Sequence, residues 1–270
     1  MRPCSSSSRY AAVPDNDLSC RDLCRGVQVA AALDQSWYPV PREIASWRIR
    51  RFAVPLLRRQ APAGHIVLCG ISWPTYEALL RDLEDSPGIR VAYDRGTLEI
   101  MSPSKLHENL KSLLSQMLGI LMLELNIERV SAGSTTWRRQ DLERGLEPDE
   151  CYYIASEARV RGKDHLDLTV DPPPDLAIEV DLDKPALEKL RIYAALGVTE
   201  VWKYDGQRLC VYRLQPDARY LEVRESASFP FLPLDELTRF LSQRQGTTET
   251  QLLRAFREWV RTRLGGYARP

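Results

Sequence analysis

The chain has 270 residues, 44% hydrophobic and 27% charged, proportions of an ordinary globular protein that exclude a wholly disordered or fibrous one. No apolar run approaches the roughly 18 residues that a membrane span needs, and the opening MRPCSSSSRY lacks the apolar stretch of a secretory signal, so a cytoplasmic protein is expected. Basic and acidic residues balance at 37 each, which excludes retention on a polyanion by net charge; the balance is uneven, +5 over residues 1–63 and −5 over 64–270.

Residues 1–63 combine SSSS, several prolines and an Arg-rich stretch from Arg48 to Arg59, without strand alternation. They read as a poorly ordered extension or appendage, with a short helix over Cys20–Leu33 at most. The six cysteines are scattered. Cys20-x3-Cys24 and His65-x3-Cys69 are weak metal pairs, because a structural zinc site needs four close ligands.

Regular structure is expected near Ile71. Ser72-Trp73-Pro74 marks a helix start, and Tyr76, Leu79, Leu80 and Leu83 follow at helical spacing until Ser86-Pro87-Gly88. Strands Ile89–Tyr93 and Thr97–Met101 flank the turn Asp94-Arg95-Gly96. A long helix over Lys105–Leu125 carries a leucine and methionine stripe. Val130–Arg138, Glu150–Ala155 and Leu166–Val170 are strand candidates. Three prolines at 172–174 set the start of the strand Asp175–Val180. A helix over Pro185–Leu196 is closed by Gly197. Strands Glu200–Tyr204, Arg208–Leu214 and Tyr220–Glu225 precede helices over Leu234–Leu241 and Glu249–Leu264. The order implies a mixed α/β (α+β) domain over 64–245, followed by a C-terminal helix within 246–270.

Alternate residues of a strand share a face, so Asp175, Ala177, Glu179 and Asp181 point opposite to Leu176, Ile178 and Val180. Three carboxylates on one face repel unless a cation, a donor or water compensates, and Mg2+ is a natural partner. A solvated sheet edge is the equal alternative from spacing alone. Asp149, held by Pro148 at the entrance of the strand Glu150–Ala155, is a second acid. On the long helix, Glu108 falls between Leu106 and Leu110, close to the apolar stripe.

The stretches ISWPTYEALLRDL, YDRGTLEIMSPSKLHENL, EPD at 147–149, PPPDLAIEVD and EKLRIYAALGVTEVWKYDG resemble the bacterial putative restriction endonuclease domain family, a branch of the PD-(D/E)XK nuclease superfamily. The likeness spans residues 71–241, and its most specific part is PDL-x-x-EV followed by K-x3-Y-x3-GV-x-E-x-W. It implies a restriction-endonuclease-like core, a mixed β-sheet flanked by helices in the order αβββαβ. It places the superfamily's Asp on Asp149, its acidic partner on Glu179 and its helical Glu on Glu108. The superfamily's Lys belongs two residues after Glu179, where this chain has Asp181; Lys189 stands in for it, with Lys184 and Lys163 as weaker substitutes.

What the resemblance implies is an Mg2+- or Mn2+-dependent endonuclease acting on DNA, with Asp149, Glu179 and the Val180 carbonyl as metal ligands. Asp175 supports that site, Glu108 holds a water or second ion, and Lys189 assists the attacking water. Arg138, Arg139, Arg159, Arg161 and Lys163 are candidate backbone contacts. A homodimer would let one site per chain cut both strands. The alternative is a catalytically inactive nuclease-like nucleic-acid-binding or interaction protein, favoured by Asp181 at the usual lysine position.

Overall fold

The computed structural model describes residues 64–268 except 85, 87 and 184–186. The N-terminal extension, its expected helix and Lys184 lie outside the described residues.

The first helix, α1 (Trp73–Asp82), starts where the Ser72 side chain accepts from the Thr75 N–H. Pro74 in its first turn removes an N–H that would have no helical partner. It packs on a five-stranded antiparallel sheet of β1 (His65–Cys69), β2 (Arg90–Asp94), β3 (Thr97–Met101), β5 (Trp137–Arg139) and β6 (Arg144–Leu146), in the order β1-β3-β2-β6-β5. Arg95 and Gly96, both at positive φ, form the two-residue turn between β2 and β3. Trp73, Tyr76 and Tyr93 interlock there, with the two tyrosine rings stacked 4.8 Å apart.

The second sheet carries Glu179, and Asp149 immediately precedes one of its strands. It contains β4 (Val130–Ser131), β7 (Glu150–Tyr153), β8 (Leu176–Val180), β9 (Glu200–Tyr204), β10 (Leu209–Leu214) and β11 (Tyr220–Val223), in the order β11-β10-β9-β8-β7-β4. Only β8 and β9 run parallel, joined through α4 (Lys189–Leu196); a short helix, α3 (Glu157–Val160), follows β7. Every residue of β8 is buried. Leu176, Ile178 and Val180 enter a core shared with α2 (Lys105–Glu124), α5 (Leu234–Ser242) and α6 (Glu249–Trp259). Ala177 packs on the opposite side with Ile192, Tyr193 and Leu196 of α4. The core series α2-β4-β7-β8-α4-β9 is the helix, three strands, helix, strand order that the resemblance implied.

The C-terminal segment is welded to α2. Leu252, Phe256, Val260 and Leu264 are buried in the main core, and Glu124 receives Arg257 at 2.5 Å and Arg261 at 2.6 Å.

Several local expectations are corrected. The strands fall into two sheets where one was expected. Val130–Arg138 is two short strands in different sheets, because the chain turns through Gly133 at φ 56°. Leu166–Val170 is a turn, organised by Asp167 accepting from the Thr169 N–H at 2.8 Å. β1 and β6 had no counterpart in the sequence reading.

Candidate active site

The centre of the site is the antiparallel pair β7–β8. Its register matches Glu150 with Ile178, so Asp149 lies across from Glu179 one step further along. Asp149 also takes over part of the ladder: its N–H donates to the Ile178 carbonyl at 3.2 Å, and its Oδ2 accepts from the Val180 N–H at 2.7 Å. Two carboxylates thus face each other, each only 1% exposed.

Glu179 is held from α4. Lys189 and Tyr193 are four residues apart and so occupy one helix face. Lys189 Nζ donates to Oε2 at 2.6 Å, and the Tyr193 hydroxyl donates to Oε1. Burial pushes the Glu179 carboxyl up to about 7 even though the Lys189 ammonium pulls it down; Asp149 and Asp181 add to the rise. Burial alone would strip the proton from Lys189, but Glu179, then Asp149 and Asp181, outweigh it and hold the ammonium charged.

Asp149 behaves in the opposite sense. Burial disfavours its charge, but His107, the Lys189 ammonium and the Val180 N–H more than compensate, and its carboxyl sits below the usual range. His107 Nε2 stands 3.1 Å from Asp149 Oδ2, within ion-pair range although off the direction of a hydrogen bond. Burial lowers the imidazole, yet Asp149 and then Glu108 raise it further, so the net shift is upward.

Glu108, in the first turn of α2, is half-exposed, with its side chain 45% exposed. It lies 3.4 Å from His107 Nδ1 and 3.8 Å from Lys111. The residue of α2 that touches the acid pair is therefore His107, and Glu108 stands one residue further out.

Asp175 is not brought to the cluster. Its Oδ2 accepts from the Ile154 and Ser156 N–H groups at 2.7 and 2.8 Å, and its Oδ1 accepts from the Ser156 hydroxyl at 2.9 Å. It also lies four residues before Glu179, roughly 13 Å along an extended strand. Its carboxylate ties down the turn after β7. Asp181, where the superfamily has lysine, pairs with Lys203 of β9 at 2.8 Å. Of the expected backbone contacts, Arg139, Arg161 and Lys163 are bound to their neighbours Asp141, Glu157 and Asp171, whereas Arg138 lines an open cleft.

Sequence reasoning missed Glu99 and Tyr193. Glu99 is 2% exposed at the middle of β3 and accepts from His65 Nδ1 at 3.0 Å. With Arg90, Glu147 and Lys189 it lines a water-sized cavity of about 10 Å3 beside the cluster. The available signal was the odd-position face Thr97, Glu99, Met101, opposite apolar Leu98 and Ile100. For Tyr193 the signal was its spacing of four from Lys189.

Among the described residues, no group of three or more His, Cys, Asp or Glu is arranged as a ready metal site. Mg2+ does not require one. It is commonly held by one or two carboxylates and keeps several waters. Asp149 and Glu179 offer hard oxygens at close quarters, and their mutual repulsion is what a divalent ion relieves. The donor set fits such an ion.

A family model, Uma2, described as "Putative restriction endonuclease", matches residues 73–241. No curated protein matches the chain. Among solved structures, the chain is similar to one described as a putative nuclease from Anabaena variabilis: 17% identity, 56% of this chain and 90% of that chain covered, TM-score 0.40.

Proposed function

The chain belongs to the Uma2 family of putative restriction endonucleases, and from that premise we propose that it is a divalent-metal-dependent endonuclease hydrolysing phosphodiester bonds of DNA. The observation that carries this reading is the buried pair Asp149 and Glu179, opposed across β7–β8, with the Lys189 ammonium seated on Glu179. Asp149, Glu179 and the Val180 carbonyl would hold Mg2+ or Mn2+. When bound, the ion supplies positive charge to the scissile phosphate and acidifies water.

The protein's own groups have distinct tasks. Glu179 must be ionised to hold a cation, and Lys189 is the group that favours that ionisation. Lys189 also provides a compact positive charge for the attacking water and the charge developing on phosphorus. Tyr193 fixes the second oxygen of Glu179, so the carboxylate keeps one orientation. The Val180 N–H fixes Asp149 in the same way, and His107 stands within ion-pair range of it. Asp181 is neutralised by Lys203, so the displaced lysine leaves no uncompensated acid in its place.

Plasmid nicking with Mg2+ or Mn2+ tests the assignment. Wild type should nick, and Asp149→Ala and Glu179→Ala should each lose activity by at least a hundredfold; equal cleavage by all three removes these residues from the chemistry. Wild-type protein that binds DNA yet never nicks it would leave the inactive, binding-only reading. One site per chain further points to a homodimer as the species that cuts both strands, which sedimentation with and without DNA measures.

A further inference from the structure

We propose that the cleft between the C-terminal end of α1 and β5 is a second binding site, one that seats the phosphates flanking the scissile one. The choice of ligand rests on the nuclease reading above. The cleft encloses about 370 Å3 and is lined by Arg81, Arg90, Arg138, Ser134, Thr136 and Glu147, among others. It adjoins the small cavity at Lys189: Arg90, Val91 and Glu147 line both. A strand lying in the cleft would therefore run beside the cavity that Lys189 lines.

The side chains suit a phosphodiester backbone. Arg81 and Arg138 are exposed at the mouth. Arg138 is held only loosely, 3.8 Å from Glu77, in contrast to the tight pairs of Arg139 and Arg161. Arg90 donates from Nη1 to the Ile89 carbonyl at 3.2 Å, while its buried Nε has no hydrogen-bond partner among the described residues. Two acids oppose these cations in the lining, Glu84 and Glu147. Glu147 accepts from the Thr136 hydroxyl at 3.0 Å. Three guanidiniums thus face two carboxylates of the lining, and Glu77 outside the lining is only loosely paired with Arg138. Such a concave surface attracts phosphate even on a domain with no net positive charge.

The test is fluorescence anisotropy of labelled duplex and single-stranded oligonucleotides over a salt series, with EDTA present so that no cleavage intervenes. The proteins are wild type, the double variant Arg81→Ala/Arg138→Ala, and Arg254→Ala, an exposed arginine of α6, as control. The double variant should bind about tenfold more weakly, and its dependence of log affinity on log salt should be shallower by about two for duplex. The control should match wild type. The proposal is overturned if wild type binds neither oligonucleotide, if the double variant binds like wild type, or if the control loses as much. Binding is read without metal and nicking with it, so the two ideas fail separately. A wild type that binds through the arginines but never nicks retains the cleft and sinks the nuclease.

Discussion

Replacing Lys189 by Met tests the electrostatics of the site apart from catalysis. Glu179 titrates near 4.5 when unperturbed and near 7 in the fold. Between those values the folded chain keeps a proton that the unfolded chain has lost, so this group makes stability fall as pH rises through that window. Above about 7 the wild-type contribution is level. Without Lys189, Glu179 would face Asp149 and Asp181 with no buried cation beside it, and the upper end of the window moves upward. Over the added range the variant loses about 1.4 kcal/mol per pH unit, or about 2 kcal/mol between pH 7 and 8.5. The loss is capped at the roughly 3–5 kcal/mol of breaking a buried ion pair. At pH 6 both proteins hold Glu179 largely protonated, and the variant is spared the burial of an ammonium. Urea unfolding at pH 6 and pH 8.5, with chelator present, should show a deficit larger at pH 8.5 by about 2 kcal/mol, equivalent to a drop of roughly 4–8 °C in midpoint. The same deficit at both pH values would refute the claim that Lys189 sustains the charge of Glu179.

His107→Ala should weaken Mn2+ binding, read by calorimetry, more than Glu108→Ala does, because His107 and not Glu108 contacts Asp149; the reverse order would return the helical role to Glu108. Gly145→Ala should cost roughly 1–3 kcal/mol in chemical denaturation, since an added Cβ would overlap the Tyr76 hydroxyl and come within 2.9 Å of Arg138 Cβ; an unchanged midpoint would show that the α1 face yields freely. The Cys151 thiol is buried and pushed up to about 12, so at pH 8 only about one part in 10,000 is thiolate. Iodoacetamide should leave its peptide unmodified in the native protein and modify it fully in urea, and rapid native labelling would contradict that burial.

The elements readable in the sequence are those whose pattern is enforced locally. Glu200–Tyr204 has the observed bounds, and the long helix differs by one residue, because an apolar stripe and Ser104 at the N-cap define it without help from elsewhere. The unreadable elements depend on distant partners. β6 is three residues, Arg144–Leu146, and is a strand because β2 and β5 pair with it. β1 reads as a short apolar run and becomes an edge strand only against β3. The division of 130–138 between two sheets was equally hidden, since a continuous β-like run carries no mark of which sheet each half joins.

The same distinction governs the site. Asp149 and Glu179 meet because strand register is a local rule: once β7 and β8 pair, their positions follow. Lys189 meets Glu179 because α4 is the crossover between β8 and β9 and must pack on the face that Ala177 and Glu179 share. Asp175 obeys the same alternation and still fails, since the residue just before β8 is within reach of the turn across the ladder, and three donors from Ile154 and Ser156 claim it. Alternation assigns a face but not a partner, and the difference is decided by which donors are unsatisfied nearby. By that criterion Glu179, one residue from the end of β8, is claimed by two donors from a neighbouring helix, which hold a charge that burial disfavours. A fold that needed only stability would often gain from an apolar residue at this position, and the proposed metal-binding role is what would account for a carboxylate, an ammonium and a phenol there instead.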